Sequence, residues 1–123
     1  MMVPIKEIYG NTTLYPIPGR KCLYCRSIKI KAVGFSAGNK GYIGTGEDSV
    51  GNNLNDMWEF NGSWTQVSNF AGGIRSKATA FAINDKGYVG TGFDGSNFYN
   101  DLWEYNTTNN TWLQLASLPE QFV

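Results

Sequence analysis

Apolar and polar residues alternate along much of the chain from position 28 to position 119. Along residues 75–83, alanines occupy alternate positions, and larger or β-branched residues fill the positions between them. An alternation with a period of two is typical of a β-strand whose two faces meet different surroundings. No stretch has the period of about 3.6 residues that marks an amphipathic helix. The pattern therefore predicts a nearly all-β protein.

The same strand pattern occurs twice, about 46 residues apart. The sequence Lys-Gly-Tyr-Ile-Gly-Thr-Gly at 40–46 returns as Lys-Gly-Tyr-Val-Gly-Thr-Gly at 86–92. Two further blocks return in the same order, 55–61 at 100–106 and 64–67 at 112–115. Three ordered matches at a nearly constant offset are far beyond chance, so the chain contains an internal repeat.

Each copy of the repeat is predicted to form four short strands joined by tight turns. The expected strands lie at 28–37, 41–46, 56–60 and around Trp64 in the first copy, and at 75–83, 87–92, 101–105 and around Trp112 in the second. Antiparallel four-strand units of about 40 to 50 residues are typical of β-propeller blades. We therefore expect blade 1 over residues 28–70, blade 2 over 71–119, an irregular N-terminal segment over 1–27 and a tail at 120–123.

Charge and composition exclude several classes of function. Ten Lys and Arg residues balance ten Asp and Glu residues, so no net charge draws the chain to nucleic acid or to an anionic membrane. Histidine is absent, which removes most zinc and copper sites and the Ser-His-Asp triad. We expect no metal, no cofactor and no catalytic residue in this chain.

The sequence shows neither a membrane span nor a signal peptide. No apolar run reaches the length of about 18 residues that indicates a membrane helix. Residues 1–31 carry scattered charges and prolines and lack the apolar core of a signal peptide. We expect no contact with a membrane, and the cellular compartment stays open.

The two cysteines, Cys22 and Cys25, form a Cys-Leu-Tyr-Cys unit. Such a pair is incidental, a disulfide, or part of a redox or metal site. A tetrahedral zinc site would need two more ligands, and the chain has no third Cys and no His to supply them. The role of the pair stays open.

The repeated blocks resemble kelch repeats, in particular those grouped with the central domain of galactose oxidase. The resemblance covers residues 28–119 and implies a β-propeller, a fold that commonly has about five to seven such blades. Many members of the family are binding modules, and similar repeats occur in secreted proteins. Some members are enzymes, among them a copper oxidase and a sialic-acid epimerase. The metal-binding histidines of the oxidase have no counterpart in this sequence.

Two repeats leave the working form of the protein open. Stacked repeats generally need at least three units to bury a continuous core. The chain is therefore part of a longer propeller, a two-blade protein capped by its N-terminal segment, or one protomer of a ring. In a ring, copies of the chain would cover the apolar sheet faces that otherwise favour association.

The loops between the second and third strands, 47–54 and 93–99, are the expected binding surface. Loops displayed on a rigid scaffold commonly carry binding residues. The candidate residues combine hydrogen-bonding groups with flat apolar rings suited to a protein or a carbohydrate, and they are Glu47, Asp48, Asn52, Asn53, Phe93, Asp94, Ser96, Asn97, Phe98 and Tyr99. The competing interpretation is that Asp, Gly, Ser and Asn only form turns here.

Acidic residues and tryptophans recur at the same positions of both copies, and this recurrence indicates a role in blade architecture. A catalytic pair would be expected only once in a propeller, whereas Asp56 with Glu59 returns as Asp101 with Glu104. We therefore predict a non-catalytic interaction module that binds a protein or a carbohydrate through its loops. The alternatives are a part of a glycan-active propeller enzyme, similar to the sialic-acid epimerase or the oxidase, with catalytic groups elsewhere, and a purely structural fragment.

Overall fold

The computed structural model describes residues 7–9, 12–14 and 28–119, and these residues form strands, turns and loops without a helix. Two three-residue strands, β1 (Glu7–Tyr9) and β2 (Thr12–Leu14), pair antiparallel. The other strands are β3 (Val33–Ala37), β4 (Lys40–Gly44), β5 (Met57–Phe60), β6 (Trp64–Val67), β7 (Thr79–Ile83), β8 (Lys86–Gly90), β9 (Leu102–Asn106) and β10 (Thr111–Gln114).

The prediction of two four-stranded antiparallel sheets is confirmed. Strands β3 to β6 form one sheet in chain order, and β7 to β10 form the other. These sheets are blade 1 and blade 2, and every neighbouring pair of strands is antiparallel. The pair β1–β2 adds regular structure within the segment 1–27 that was expected to be irregular. The rest of that segment, with Cys22 and Cys25, and the tail 120–123 lie outside the described residues.

The inner strands are shorter than the alternation predicted, for a local backbone reason. Lys31 (φ 55°) and Lys77 (φ 59°) adopt left-handed backbone conformations just before β3 and β7. Thr45 (φ 54°) and Thr91 (φ 60°) do the same just after β4 and β8. A positive φ is incompatible with an extended strand, and it is uncommon for a β-branched residue. Each sheet therefore ends in a bend at its loop end, and the bend recurs in both blades.

Each blade has two unlike faces, one with projecting aromatic rings and one with small residues. At the junction, the face with projecting rings of blade 1 packs on the face with small residues of blade 2. We call one the protruding face, which in blade 1 consists of Val33, Phe35, Tyr42 and Met57. The other is the receiving face, which in blade 2 consists of Ala80, Ala82, Gly87, Val89 and Tyr105. Val33, Tyr42, Met57, Val89 and Tyr105 belong to one buried cluster, and Phe35, Ala80 and Ala82 are partly buried against it. Because the faces are different, the junction is heterologous, as in a head-to-tail contact between subunits.

Stacked rings fill the centre of this junction. The Phe35 ring lies on the Tyr42 ring with the ring centres 5.0 Å apart, and Tyr42 meets the edge of Tyr105 at 5.5 Å. Tyr42 and Tyr105 are each only 1% exposed. Gly87 makes room for this arrangement, since a Cβ atom there would fall 2.1 Å from Cε2 of Phe35. Small residues on the receiving face thus allow the aromatic rings of the next blade to approach its backbone.

The segment after β6 closes the junction at its outer side. Phe70 is 1% exposed and lies between the indoles of Trp103 and Trp112, with ring centres 6.1 and 5.1 Å away. The Trp112 indole N–H donates to the carbonyl of Ser68. Ser68 also bonds to Asn110, through its backbone N–H and through its hydroxyl. The linker between the blades is therefore itself part of the packed junction.

The fit at Gly87 predicts a position-specific loss of stability. In Gly87→Ala the new methyl group meets the Phe35 ring, which Tyr42 prevents from moving away, so we expect a loss of about 1–3 kcal/mol. Gly41 is the equivalent position in blade 1, where a Cβ atom would meet only Cβ of Phe60 at 4.0 Å. Gly41→Ala should therefore change stability by less than about 0.5 kcal/mol. Urea unfolding at low protein concentration measures both, and equal losses would contradict the junction described here.

Candidate functional site

The two predicted binding loops lie side by side because one short segment pairs with both. Arg75 forms an antiparallel bridge with Leu54 of loop 47–54, and Ser76 forms one with Phe93 of loop 93–99. The Arg75 N–H donates to the carbonyl of Leu54, and Ser76 and Phe93 exchange two backbone hydrogen bonds. The entry to blade 2 thus holds the loops of both blades at one end of the structure.

Loop 47–54 is organised by its own acidic residues. The Glu47 carboxylate pairs with Lys31 at 2.7 Å. Asp48 accepts hydrogen bonds from the backbone N–H groups of Val50 and Asn52 and from the Asn52 amide. The Asn52 N–H contributes most to holding the pKa of Asp48 below its usual range. These polar side chains are therefore engaged in forming the turn.

Loop 93–99 repeats this design with more partners. Asp94 accepts from the Tyr99 hydroxyl at 2.6 Å and from the N–H groups of Ser96 and Asn97 at 2.8 and 2.7 Å. The Tyr99 hydroxyl contributes most to the marked lowering of the pKa of Asp94. The Phe93 and Phe98 rings pack with their centres 4.6 Å apart. The result is a tight turn that presents one aromatic ring at its tip.

Arg75 connects this loop to the core of blade 2. Its guanidinium group forms a bidentate pair with Asp101, at 2.8 and 2.6 Å, and lies 3.6 Å from the centre of the Tyr99 ring. It is 1% exposed and also donates to the carbonyls of Gly72 and Thr91. Burial alone would raise the pKa of Asp101, but the hydrogen bonds from Arg75 and from the Trp103 indole outweigh it and keep the pKa low.

The recurring carboxylates that resembled a catalytic pair are engaged within each blade. In blade 1, Lys29 and the Trp58 indole both donate to Asp56, which repeats the contacts of Asp101 with Arg75 and Trp103. The Tyr42 hydroxyl donates to Glu59, and Tyr88 donates to Glu104 in the same way. Lys40 pairs with Glu59 and Lys86 with Glu104. These carboxylates therefore hold neighbouring strands together.

The structure brings the ten predicted site residues to one end of the molecule but presents them unequally. Asp48 and Asp94 point into their own turns, and Tyr99 lies under Arg75. The side chains that face solvent are Asn52, Ser96, Asn97 and Phe98. A Cβ atom on Gly95 would lie 3.2 Å from the Asn53 amide nitrogen, which shows how closely the two loops approach each other.

One exposed residue of this surface was not among the predicted site residues. Val50 is 73% exposed and Phe98 is 76% exposed, and they lie at the tips of the two loops. The signal for Val50 was an isolated apolar residue within a loop of Ser, Gly and Asn. We call Val50, Phe98 and the exposed Asn52, Ser96 and Asn97 the loop surface.

Neither a cluster of metal ligands nor a membrane-spanning helix occurs in the part of the chain that the structure describes. Across 7–9, 12–14 and 28–119, no three His, Cys, Asp or Glu side chains are grouped so as to hold a metal ion. Within the same ranges, no helix is long and apolar enough to cross a membrane.

Comparison with known proteins agrees with this architecture. The family model for the kelch motif matches residues 75–119, which comprise blade 2 and its loop. Among solved structures 86 chains match, and one of them is the structure of YjhT, with 25% sequence identity and a TM-score of 0.62. That match covers 74% of this chain and only 28% of the other, and no curated protein matches.

The fold is thus that of a partial β-propeller made of two four-stranded blades. The kelch motif matched in blade 2 and the similarity to this solved structure both support a relationship to kelch-repeat β-propellers.

The ion pairs Arg75–Asp101 and Lys29–Asp56 predict unequal losses of stability when their carboxylates are neutralised. Asp101→Asn leaves the guanidinium group of Arg75 buried without its counter-charge, and we expect a loss of about 3–5 kcal/mol. Asp56→Asn should cost about 1 kcal/mol, because the side chains of Lys29 and Asp56 keep 17% and 26% of their surface exposed. Urea unfolding of both variants measures the difference. A larger loss for Asp56→Asn would overturn the ranking.

The hydrogen bonds to Asp94 predict an acid transition confined to its loop. A carboxylate whose pKa is lowered by folding contributes its full stabilisation above the ordinary pKa of 3.8. That contribution is lost as the pH falls from there through the lowered pKa. The backbone N–H signals of Ser96 and Asn97 should therefore titrate well below pH 4 in NMR spectra. A midpoint at or above the ordinary value would show that these hydrogen bonds are not maintained in solution.

Proposed function

We propose that this chain is a non-catalytic interaction module that binds a protein through the loop surface. The observation that carries the proposal is the pair of exposed apolar tips, Val50 and Phe98, on two adjacent and internally braced loops. Phe98 is fixed against Phe93, so a partner would bury it at little cost in conformational entropy. Large rigid aromatic side chains of this kind dominate the energy of protein interfaces.

The hydrogen bonding of the loops favours a protein over a carbohydrate. Sugar recognition depends on several polar side chains that are free to bind hydroxyl groups. Here the carboxylates of Asp48 and Asp94 already accept hydrogen bonds from their own turns, and Glu47 is paired with Lys31. The loop surface combines two large exposed apolar side chains with two amides and one hydroxyl, and an apolar centre with a polar rim is typical of protein interfaces.

Selection from a phage-displayed library of random peptides tests the proposal. We expect peptides that bind the native chain and lose about 2 kcal/mol, close to thirtyfold in Kd, on Phe98→Ser. Ile83→Ser is the matched control, because Ile83 is 55% exposed but lies at the opposite end of the β7 strand from the loops. Neither substitution should change the melting temperature by more than a few degrees.

A glycan array run in parallel gives the opposing result. Glycan binding that depends on Phe98, together with an empty peptide selection, would contradict a protein ligand. Peptides whose affinity is unchanged by Phe98→Ser would show that the loop surface is not the binding site.

A further inference from the structure

The junction inside the chain uses one protruding and one receiving face, and the structure also contains one further face of each kind. The second receiving face belongs to blade 1 and consists of Gly34, Gly41, Ile43, Trp58, Phe60 and Trp64. The second protruding face belongs to blade 2 and consists of Thr79, Phe81, Tyr88, Leu102 and Leu113. Within the ranges that the structure describes, neither face is covered by another strand.

These two faces reproduce the partners that already pack in the junction. Phe81 lies on Tyr88 with ring centres 5.0 Å apart and an interplanar angle of 12°, as Phe35 lies on Tyr42 at 5.0 Å and 17°. Phe81 is 44% exposed, whereas Tyr42 in the junction is 1% exposed. Gly41 occupies the position of Gly87, and the space above it is open. The exposed Phe81–Tyr88 stack therefore matches the ring pair of the junction, and the open space at Gly41 matches the space at Gly87 that receives such a ring.

A cavity on blade 1 marks where the contact would form. It measures about 850 Å³, and its lining includes Lys29, Ile43, Asp56, Trp58 and Trp64. Trp64 is 52% exposed at its rim. At the equivalent place on blade 2, the ring of Phe70 packs against Trp103 and Trp112 and lies under the guanidinium group of Arg75. By comparison with blade 2, the blade 1 cavity is suited to a large apolar side chain such as Phe70.

Blade 2 carries the residue that corresponds to this occupant. The backbone N–H of Phe70 donates to the carbonyl of Asn55, and the N–H of Leu118 donates to the carbonyl of Asn100 with the same 2.7 Å length. Leu118 therefore lies against blade 2 as Phe70 lies against blade 1. It would enter the cavity of a receiving blade between the positions of Trp58 and Trp64.

We propose that this chain associates head to tail with a second copy of itself. The protruding face of blade 2 in one copy packs on the receiving face of blade 1 in the other, with Phe81 over Gly41 and Leu118 in the Trp58–Trp64 cavity. The contact continues the heterologous junction already present within the chain, and repetition of such a contact closes a ring or extends a linear assembly. It lacks the Ser68–Asn110 hydrogen bonds, because Ala116 and Gly62 stand at the equivalent positions.

Two substitutions block the contact from opposite sides without touching the junction inside the chain. Gly41→Val fills the space that Phe81 requires, and within its own blade the new Cβ atom would meet only Cβ of Phe60, at 4.0 Å. Phe81→Ser removes the protruding ring. Analytical ultracentrifugation of the full chain should show association that increases with concentration for the native protein, and a 13.6 kDa monomer for each variant. Phe98→Ser on the loop surface should associate as the native chain does.

Mixing the two variants distinguishes head-to-tail packing from a loss of folding. The Gly41→Val chain keeps an intact protruding face, and the Phe81→Ser chain keeps an intact receiving face. An equimolar mixture should therefore form a one-to-one complex that neither variant forms alone. A native chain that stays monomeric at all concentrations, association that survives both substitutions, or a mixture that stays monomeric would overturn the proposal.

Discussion

The ring of Phe35 lying on the backbone at Gly87 is the contact on which the rest of this structure depends. A four-stranded sheet that is apolar on both faces gains stability when a neighbouring repeat covers a face, because the contact removes apolar surface from water. The Phe35–Tyr42 stack supplies the volume, and the small residues Ala80, Ala82 and Gly87 supply the space. Because the two faces are unlike, the protruding face of one blade packs on the receiving face of the next, and the blades all stack in the same sense.

Arg75 links that junction to the loops. One guanidinium group contacts Phe70 in the junction, Asp101 in blade 2 and Tyr99 at the base of the second loop. Its planar fork makes these contacts together, whereas the equivalent Lys29 reaches only Asp56 and the carbonyl of Thr45. The position of the loop surface therefore depends on the packing between the blades, although the loops themselves are braced locally.

The repeat was enough to predict the sheets, because period-two alternation and equal spacing constrain strand pairing strongly. The strand ends were not predictable in the same way, since nothing in the identity of Lys31 or Thr45 indicates a positive φ. The packed role of Phe70 was also missed, as it depends on a contact with tryptophans more than thirty residues further along the chain.

The sequence predicted which loops form the candidate site, but not which of their side chains face solvent. A sequence shows that Asp48 and Asp94 are polar residues in loops, but it does not show whether their carboxylates face a ligand or their own backbone. In the structure they bond to their own turns, and the exposed surface consists of the apolar tips Val50 and Phe98 with neighbouring amides and a hydroxyl. Only the three-dimensional course of residues 75–76 between the loops brings Val50 and Phe98 to the same end of the molecule.

The most direct test of this account is a set of proton–proton distances across the junction, measured by nuclear Overhauser effects in the monomeric Phe81→Ser chain. The account predicts strong contacts between the Phe35 ring and the α-protons of Gly87, and between the rings of Tyr42 and Tyr105. Absence of both sets, with Phe35 mobile in solvent, would show that the two blades do not pack face to face.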